Sequence, residues 1–269
     1  MAESLRSFFD ELETRDRHLV LLNRSSPDPV RGLLDSLLDG QPVSVSEVDA
    51  DSTADDADST AADADSTAAD DVVALVEDGA VIARSPLDEL LESVLLINSD
   101  LYKTGGIELG DVALPAVFEG LDEVPFRVRG YPASNKEKLL LIVISRVIER
   151  IAAEHGAGTL RASFQRLSRI DDERGTRSVY ERVAGSGVDV HVYGVGDADS
   201  LSRLPVTVHT GTSYPYRRSW FVVFTPPEGA DGDHVALLAL EDEPNVWDGF
   251  WTFRPELVTR IERHIAEEV

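Results

Sequence analysis

The sequence of 269 residues has no cysteine, which excludes disulfide bonds, thiolate nucleophiles and cysteine-based metal sites. No apolar stretch follows a basic start, so the sequence predicts no secretory signal. The apolar run from Leu139 to Ile144 ends at Ser145 and Arg146 and is far too short to span a bilayer. We therefore expect a cytoplasmic protein without a membrane partner.

Lysine is scarce, and positive charge is scarce altogether. Fifty acidic residues stand against 25 basic ones, and only Lys103, Lys136 and Lys138 among the latter are lysines. This combination is typical of a halophilic protein, because at molar salt the Debye length falls to about 3 Å and acidic residues repel one another weakly. The net charge of −25 then says little about partners. We predict no nucleic-acid partner.

Large apolar residues are absent from residues 49–71, which repeat the pattern DADSTA. Such a segment cannot bury enough surface to offset the entropy of ordering, and nothing in its seven-residue period could fill a coiled-coil seam. We predict a disordered acidic insertion there. Residues 1–48 and 72–269 would then form one domain.

The remaining sequence has the hydrophobic periodicity of an α/β (mixed α+β) protein. Strand patterns fall at 18–23, 43–48, 72–77, 81–84, 159–167, 188–195, 206–209, 220–225 and 235–240, and helical patterns fall at 4–13, 29–38, 86–97, 173–184 and 255–268. A further helix over about 135–155 is apolar on nearly every face, which predicts a central helix enclosed by its neighbours. Helices and strands alternate early and strands follow in series later, which predicts a mixed β-sheet with helices packed on it.

One segment departs from the acidic background. Residues 127–182 hold 12 basic residues against seven acidic ones. Arginine suits a partly buried anion site because its planar guanidinium binds carboxylate or phosphate in a bidentate manner. The alternative is an internal network in which Arg166, Arg169 and Arg174 pair with the acidic run 171–173. The sequence leaves both open.

The other chemical motifs are weaker. No GxSxG, GxxxxGK[ST] or GxGxxG motif occurs, and six histidines lack HxxxH or HxH spacing, so we predict no catalytic residue and no metal site and assign no cofactor. The aromatic cluster at 247–253 could wall a pocket for a flat ligand or pack in the core. If the protein were an enzyme, Glu241 or Asp172 would be its general base.

Several ordered motifs together resemble the DICT family, named for its occurrence with diguanylate cyclases and two-component systems. They are RGYPASNKEKLLLIVISRVIER (129–150), TLRASFQRLSRIDDERGTRSVYERVAGSGVDVHVYG (159–194), RRSWFVVF (217–224) and LALEDEPNVWDGFWTF (238–253), and SLRSFFDELETRDRHLVLLNR (4–24) also looks like the haloarchaeal members. The resemblance implies a sensory, signal-binding domain. Because the sequence shows no kinase, cyclase or DNA-binding segment, we expect it to act in trans on a partner such as a histidine kinase or response regulator.

The leading hypothesis places a small anionic or aromatic ligand between the start of the central helix, the 166–174 loop and a turn at 247–251. A helix N-terminus favours anions, so residues there join the arginines and tryptophans as candidates. The candidate ligand-binding residues are Asn135, Lys136, Arg146, Arg166, Arg169, Arg174, Trp247 and Trp251. The competing hypotheses are a ligand-free interaction adaptor and an enzyme that acts on an anionic metabolite.

Overall fold

The structure is a computed structural model that describes residues 4–12, 16–22, 44–48, 71–90, 114–129, 138–172, 174–196 and 200–269. The predicted helix at 29–38, the tract at 49–70 and the end of the helix predicted over 86–97 lie outside these residues. Asn135 and Lys136 also lie outside them. The disordered insertion and the single domain around it therefore stay predictions.

Eleven strands are present in the described part of the chain. They are β1 (Arg17–Leu22), β2 (Ser44–Val48), β3 (Val72–Glu77), β4 (Ala80–Pro86), β5 (Phe126–Arg129), β6 (Thr159–Arg166), β7 (Asp189–Val195), β8 (Thr207–Thr210), β9 (Ser219–Thr225), β10 (Val235–Glu243) and β11 (Val246–Thr252). The predicted strands within the described residues are confirmed. Strands β5 and β11 were not predicted from the sequence.

The helices in the described residues vary widely in length. They are α1 (Ala116–Glu119), α2 (Lys138–His155), α3 (Arg169–Asp172), α4 (Arg174–Gly185), α5 (Tyr214–Arg218) and α6 (Pro255–Glu268), with 3₁₀ helices at Leu5–Glu11 and Ser200–Arg203. The predicted N-terminal helix is thus a 3₁₀ helix. No helix among the described residues is long and apolar enough to cross a membrane.

The smaller sheet has the strand order β2-β1-β3-β4. Strand β1 is parallel to β2 and antiparallel to β3. Asp78 and Gly79 connect β3 to β4 with φ angles of 51° and 81°, and positive φ at both positions is what a tight two-residue hairpin turn requires. The predicted hairpin is confirmed.

The larger sheet has the order β5-β11-β10-β9-β6-β7-β8. Its first five strands are antiparallel neighbours, whereas β6, β7 and β8 are parallel. The parallel pair β6 and β7 is joined through α3 and α4, because parallel strands need a crossover connection. The predicted mixed sheet is confirmed.

Helices cover both faces of the larger sheet. Helix α2 packs on β9 and β10 and contacts α4, and its residues Leu141, Ile144 and Ile148 are almost completely buried. Helix α6 and the N-terminal 3₁₀ helix lie on the opposite face in a second apolar cluster. The α2 cluster also includes residues of the smaller sheet, so one core joins the two sheets. The burial of these α2 residues confirms the predicted central buried helix.

Candidate functional site

A β-bulge near the end of β6 shapes the site. Ser163 pairs with Tyr193, but the next pair is Arg166 with Val195, so β6 holds an extra residue between these pairs. Within this bulge Gln165 has a φ of 53°, a backbone conformation that costs a residue other than glycine about 1–3 kcal/mol. Its side-chain Nε2 donates to the Ser219 carbonyl oxygen at 2.5 Å. The bulge therefore holds the Gln165 amide in a fixed place.

Gln165 separates two adjoining spaces. The first, which we call the inner cavity, lies between α2, β6, α4 and β9 and has a volume of about 90 Å³. The second, the outer cleft, lies at the carboxyl ends of β6 and β7 and has a volume of about 400 Å³. Gln165 and Arg169 line both, and Arg169 Nη1 donates to Gln165 Oε1. The two spaces thus form one site divided by this contact.

A buried ion pair lines the inner cavity. Arg146 and Glu149, which are 5% and 2% exposed, lie one turn apart on α2, and Arg146 Nη1 donates to Glu149 Oε2 at 2.5 Å. Arg146 Nη2 donates to Thr176 Oγ1 on α4 at 2.7 Å. Burial raises the pKa of Glu149, although the neighbouring Arg146 acts to lower it. The pair therefore links α2 to α4 inside the core.

Tyr180 of α4 completes this polar wall of the inner cavity. Burial raises the pKa of the Tyr180 hydroxyl well above its ordinary value, and the charge of Glu149 raises it further. The hydroxyl therefore stays protonated and remains a hydrogen-bond donor beside the carboxylate.

Two tryptophans connect the inner cavity to the outer cleft. Trp220 of β9 lines the inner cavity, and its Nε1 donates to Ser145 Oγ at 3.1 Å. The Trp220 ring meets the Trp247 ring edge-on at 6.4 Å between centroids. Trp247 in turn lines the outer cleft.

The outer cleft gathers positive charge. Its lining residues are Gln165, Arg166, Arg169, Val195, Arg217, Glu241, Asn245 and Trp247. Among the described residues, three arginines therefore face one carboxylate, in a protein with twice as many acidic as basic residues. Such an arrangement favours an anionic ligand.

The Glu241 carboxylate, which lines the outer cleft, already has partners. Glu241 Oε1 accepts a hydrogen bond from the Asn245 backbone N–H at 2.8 Å, and Glu241 Oε2 lies 3.8 Å from Arg218 Nε. Neither the Arg166 nor the Arg217 side chain makes an ion pair or hydrogen bond within the described part of the chain. A ligand in the cleft would therefore meet two guanidinium groups that have no acidic partner among the described residues.

The structure brings together four of the eight candidate residues. Arg146 lines the inner cavity, Arg166 and Trp247 line the outer cleft, and Arg169 lines both. Asn135 and Lys136 lie outside the described residues, as does the side chain of Arg174. Of the two general-base candidates, Glu241 lines the outer cleft. The backbone of Asp172 lies in α3, and its side chain lies outside the described residues.

Two details of the predicted site differ from the structure. The expected turn at 247–251 is strand β11, and Trp251 is 2% exposed and packs against Phe126 at 5.6 Å rather than lining either space. Asp171 pairs with Arg177 instead of Arg166 or Arg169, because one face of α4 presents Arg177 to the end of α3. Within the described residues the network is represented by the Asp171–Arg177 pair, and Arg166 makes no ion pair there. The side chains of residues 172–174 lie outside the described residues.

Several residues of the site were not among the sequence-predicted candidates, namely Gln165, Glu149, Thr176, Tyr180, Trp220 and Arg217. The sequence places Arg146 and Glu149 in the otherwise apolar middle of α2. Because buried charges occur mainly as pairs, this pattern could have predicted a buried ion pair. Gln165 gave no signal, because its role depends on a bulge that only pairing with β7 reveals.

Comparison with known proteins gives few matches. No curated protein matches the chain. The crystal structure of polyphosphate kinase from Porphyromonas gingivalis matches at 14% identity with a TM-score of 0.33, over 58% of this chain. The chain spans only 26% of that kinase, and the likeness is too weak to assign a fold or an activity.

A family match covers the segment that builds most of the site. Residues 121–241 match the DICT family, described as the sensory domain in diguanylate cyclases and two-component systems. The matched segment contains every residue that lines the inner cavity and all of those that line the outer cleft except Asn245 and Trp247. Residues 121–241 are thus similar to the DICT sensory domain.

Proposed function

We propose that this protein is a cytoplasmic sensory module that binds a small ligand in the outer cleft and acts in trans on a signalling partner such as a histidine kinase or response regulator. The family's occurrence in diguanylate cyclases and two-component systems supports a role in signalling. The observation that carries the proposal is the shared wall formed by Gln165 and Arg169, which makes one site of the two spaces.

The dimensions and lining of the outer cleft support ligand binding. A volume of about 400 Å³ falls within the range of about 300–1,000 Å³ that is usual for small-molecule sites. Trp247 offers an aromatic surface, and Arg166, Arg169 and Arg217 offer charge. An adaptor that binds no ligand would not need a cleft of this size.

The contact between Arg169 and Gln165 provides a route for a signal. A ligand that attracts the Arg169 guanidinium competes with Gln165 Oε1 for it. Arg169 begins α3, which leads into α4, and α4 is joined to α2 through Thr176 and Arg146. Binding can therefore shift the balance between two arrangements of these helices, provided that the ligand prefers one of them.

The experiment is a thermal-shift and native mass-spectrometry screen of small metabolites in concentrated KCl, with Arg169→Gln as the site variant and Arg182→Gln on the exposed part of α4 as a charge-matched control. We expect a ligand that raises the melting temperature of the wild type and the control but not of Arg169→Gln. Partner binding should respond to the ligand in the same pattern.

The competing functions predict other outcomes in the same screen. A ligand-free adaptor would bind its signalling partner with an affinity that neither the ligand nor Arg169→Gln changes. An enzyme would consume the ligand, and Glu241→Gln would stop the consumption because Glu241 is the carboxylate of the outer cleft. Either result would contradict the sensory proposal.

A further inference from the structure

We infer that the outer cleft recognises an oxyanion group of its ligand, phosphate or carboxylate, and that Arg166 and Arg217 are the residues that bind it. This inference rests on the proposed sensory function and specifies the ligand class of the same site. Arg217 was not among the residues that the sequence pointed to.

Arg166 and Arg217 differ from the paired arginines of the described residues. Arg127 pairs with Asp242 and Asp248, Arg161 pairs with Glu262, and Arg177 pairs with Asp171 and Glu181. Acidic residues are thus readily available to a guanidinium in this protein. Arg166 and Arg217 nevertheless line one cleft without such a partner in the described residues.

The two arginines reach the cleft from different elements. Arg166 ends β6 directly after the bulge, and Arg217 lies in the last turn of α5. Two guanidinium groups that converge from separate elements can hold an oxyanion between them through charge-assisted hydrogen bonds. Glu241, the one carboxylate among the described residues that line the cleft, accepts the Asn245 N–H and lies 3.8 Å from Arg218 Nε, and within the described residues it makes no ion pair with Arg166 or Arg217.

Trp247 adds an aromatic ring to the same cleft. The residue is 4% exposed, and no acceptor lies within hydrogen-bonding distance of its Nε1 among the described residues. A buried donor without an acceptor is destabilising, so such groups usually meet a partner. The Nε1 atom is covered from solvent, so the ligand meets the part of the Trp247 ring that lines the cleft.

The sizes of the two spaces place the bulk of the ligand in the outer cleft. The inner cavity, at about 90 Å³, has room for about three water molecules at about 30 Å³ each. The ligand that fits is therefore a small metabolite whose oxyanion meets Arg166 and Arg217 and whose remaining atoms occupy the outer cleft beside Trp247.

The test is calorimetric titration at constant ionic strength with two probes, inorganic phosphate and succinate. The site variant is Arg166→Gln/Arg217→Gln. The control is Arg182→Gln/Arg263→Gln, which removes the same charge at two exposed arginines that line neither space. We expect saturable binding of at least one probe by the wild type and the control, and affinity reduced about tenfold or more for each arginine lost.

A conservative variant separates a specific site from general attraction. Arg166→Lys/Arg217→Lys keeps the charge but loses the bidentate geometry, so its affinity should lie between those of the wild type and the glutamine variant. Affinity equal to the wild type in either site variant would overturn the inference, and so would the absence of saturable binding of both probes. Binding of phosphate alone or of succinate alone would support the inference and identify the oxyanion.

Failure of this inference and failure of the sensory proposal give different results. If a metabolite binds and changes partner binding equally well in Arg166→Gln/Arg217→Gln, the oxyanion assignment is wrong and the sensory function stands. If the probes bind at these arginines but no metabolite alters partner binding, the oxyanion site stands and the sensory function fails.

Discussion

Arg146 donates to Glu149 across 2.5 Å inside the core, and both side chains line a cavity that adjoins an open cleft. Taking two charges out of water is costly, and the pair is tolerable because each charge compensates the other. The raised pKa of Glu149 shows that burial outweighs the attraction of Arg146. Helix α2 therefore carries a costly polar group where an apolar pair would pack well.

Replacing Arg146 with leucine should destabilise the protein by about 3–5 kcal/mol, because Glu149 would remain buried without its counter-charge. The double variant Arg146→Leu/Glu149→Leu should recover most of that loss. Denaturant unfolding of both variants, each compared with the wild type, measures the difference. Equal stability of the single variant and the wild type would show that the pair is not buried as described.

The stability of the protein should depend on His209 at mildly acidic pH. Burial lowers the pKa of His209 below its ordinary value of 6.5, and the charges of His191 and Arg161 lower it further. The unfolded chain then takes up a proton at a higher pH than the folded one. The contribution of His209 is complete above pH 6.5 and is lost as the pH falls through that value towards the lowered pKa.

The imidazole pair is the structural basis of this effect. His191 Nδ1 lies 2.9 Å from His209 Nε2, His191 Nε2 lies 3.0 Å from Asp189 Oδ2, and Tyr193 stacks on His209 at 4.3 Å. The unfolding free energy of the wild type relative to His209→Gln should fall between about pH 7 and pH 5. His234→Gln serves as the control. A difference that stays constant with pH would contradict the assignment.

Gly249 in β11 should not tolerate a larger residue. A Cβ atom there would lie 2.5 Å from Phe126 Cζ and 2.9 Å from Ala239 Cβ, so the Phe126 ring occupies the place of a side chain. Gly249→Ala should cost about 1–3 kcal/mol of stability through overpacking. Gly185→Ala is the matched control, because nothing lies within 4 Å of a Cβ at Gly185. Equal melting temperatures of the two variants would refute the packing argument.

Arg17 should tie the smaller sheet to the segment between α1 and β5. It lies in β1, its Nη1 donates to the Gly120 carbonyl oxygen at 2.5 Å and to that of Asp122 at 2.8 Å, and its Nε donates to Glu77 Oε2 at 2.5 Å. Arg17→Met leaves two carbonyl groups without a donor and should cost about 3 kcal/mol. The exposed Arg84→Met is the control.

Hydrogen exchange on the Arg17→Met variant also tests whether the domain is single, as the sequence predicts for 1–48 and 72–269. Strands β1 and β3 should lose protection before β9 and β10 if Arg17 couples the smaller sheet to the family-matched segment. Simultaneous loss of protection in both sheets would show that the shared apolar core alone couples them.

Much of the fold follows from local patterns in the sequence. The hairpin at Asp78 and Gly79, the enclosed helix α2 and the terminal helix α6 each depend on residues close in the chain, and the sequence predicts all three. Strand β11 was missed because Asp248 and Gly249 look like a turn. Only the packing of Phe126 from β5 explains a glycine in the middle of that strand.

By itself the sequence determined the class of the fold, the central helix and the concentration of arginine in 127–182, because composition and periodicity are local properties. Tertiary structure decided which arginines share a cleft. The bulge at Gln165, the approach of Arg217 from α5 and the meeting of Trp220 with Trp247 all depend on strand pairing between distant segments. The spacing of residues along the chain does not encode those contacts. The sequence could therefore predict that the site is rich in arginine, but not which residues line it.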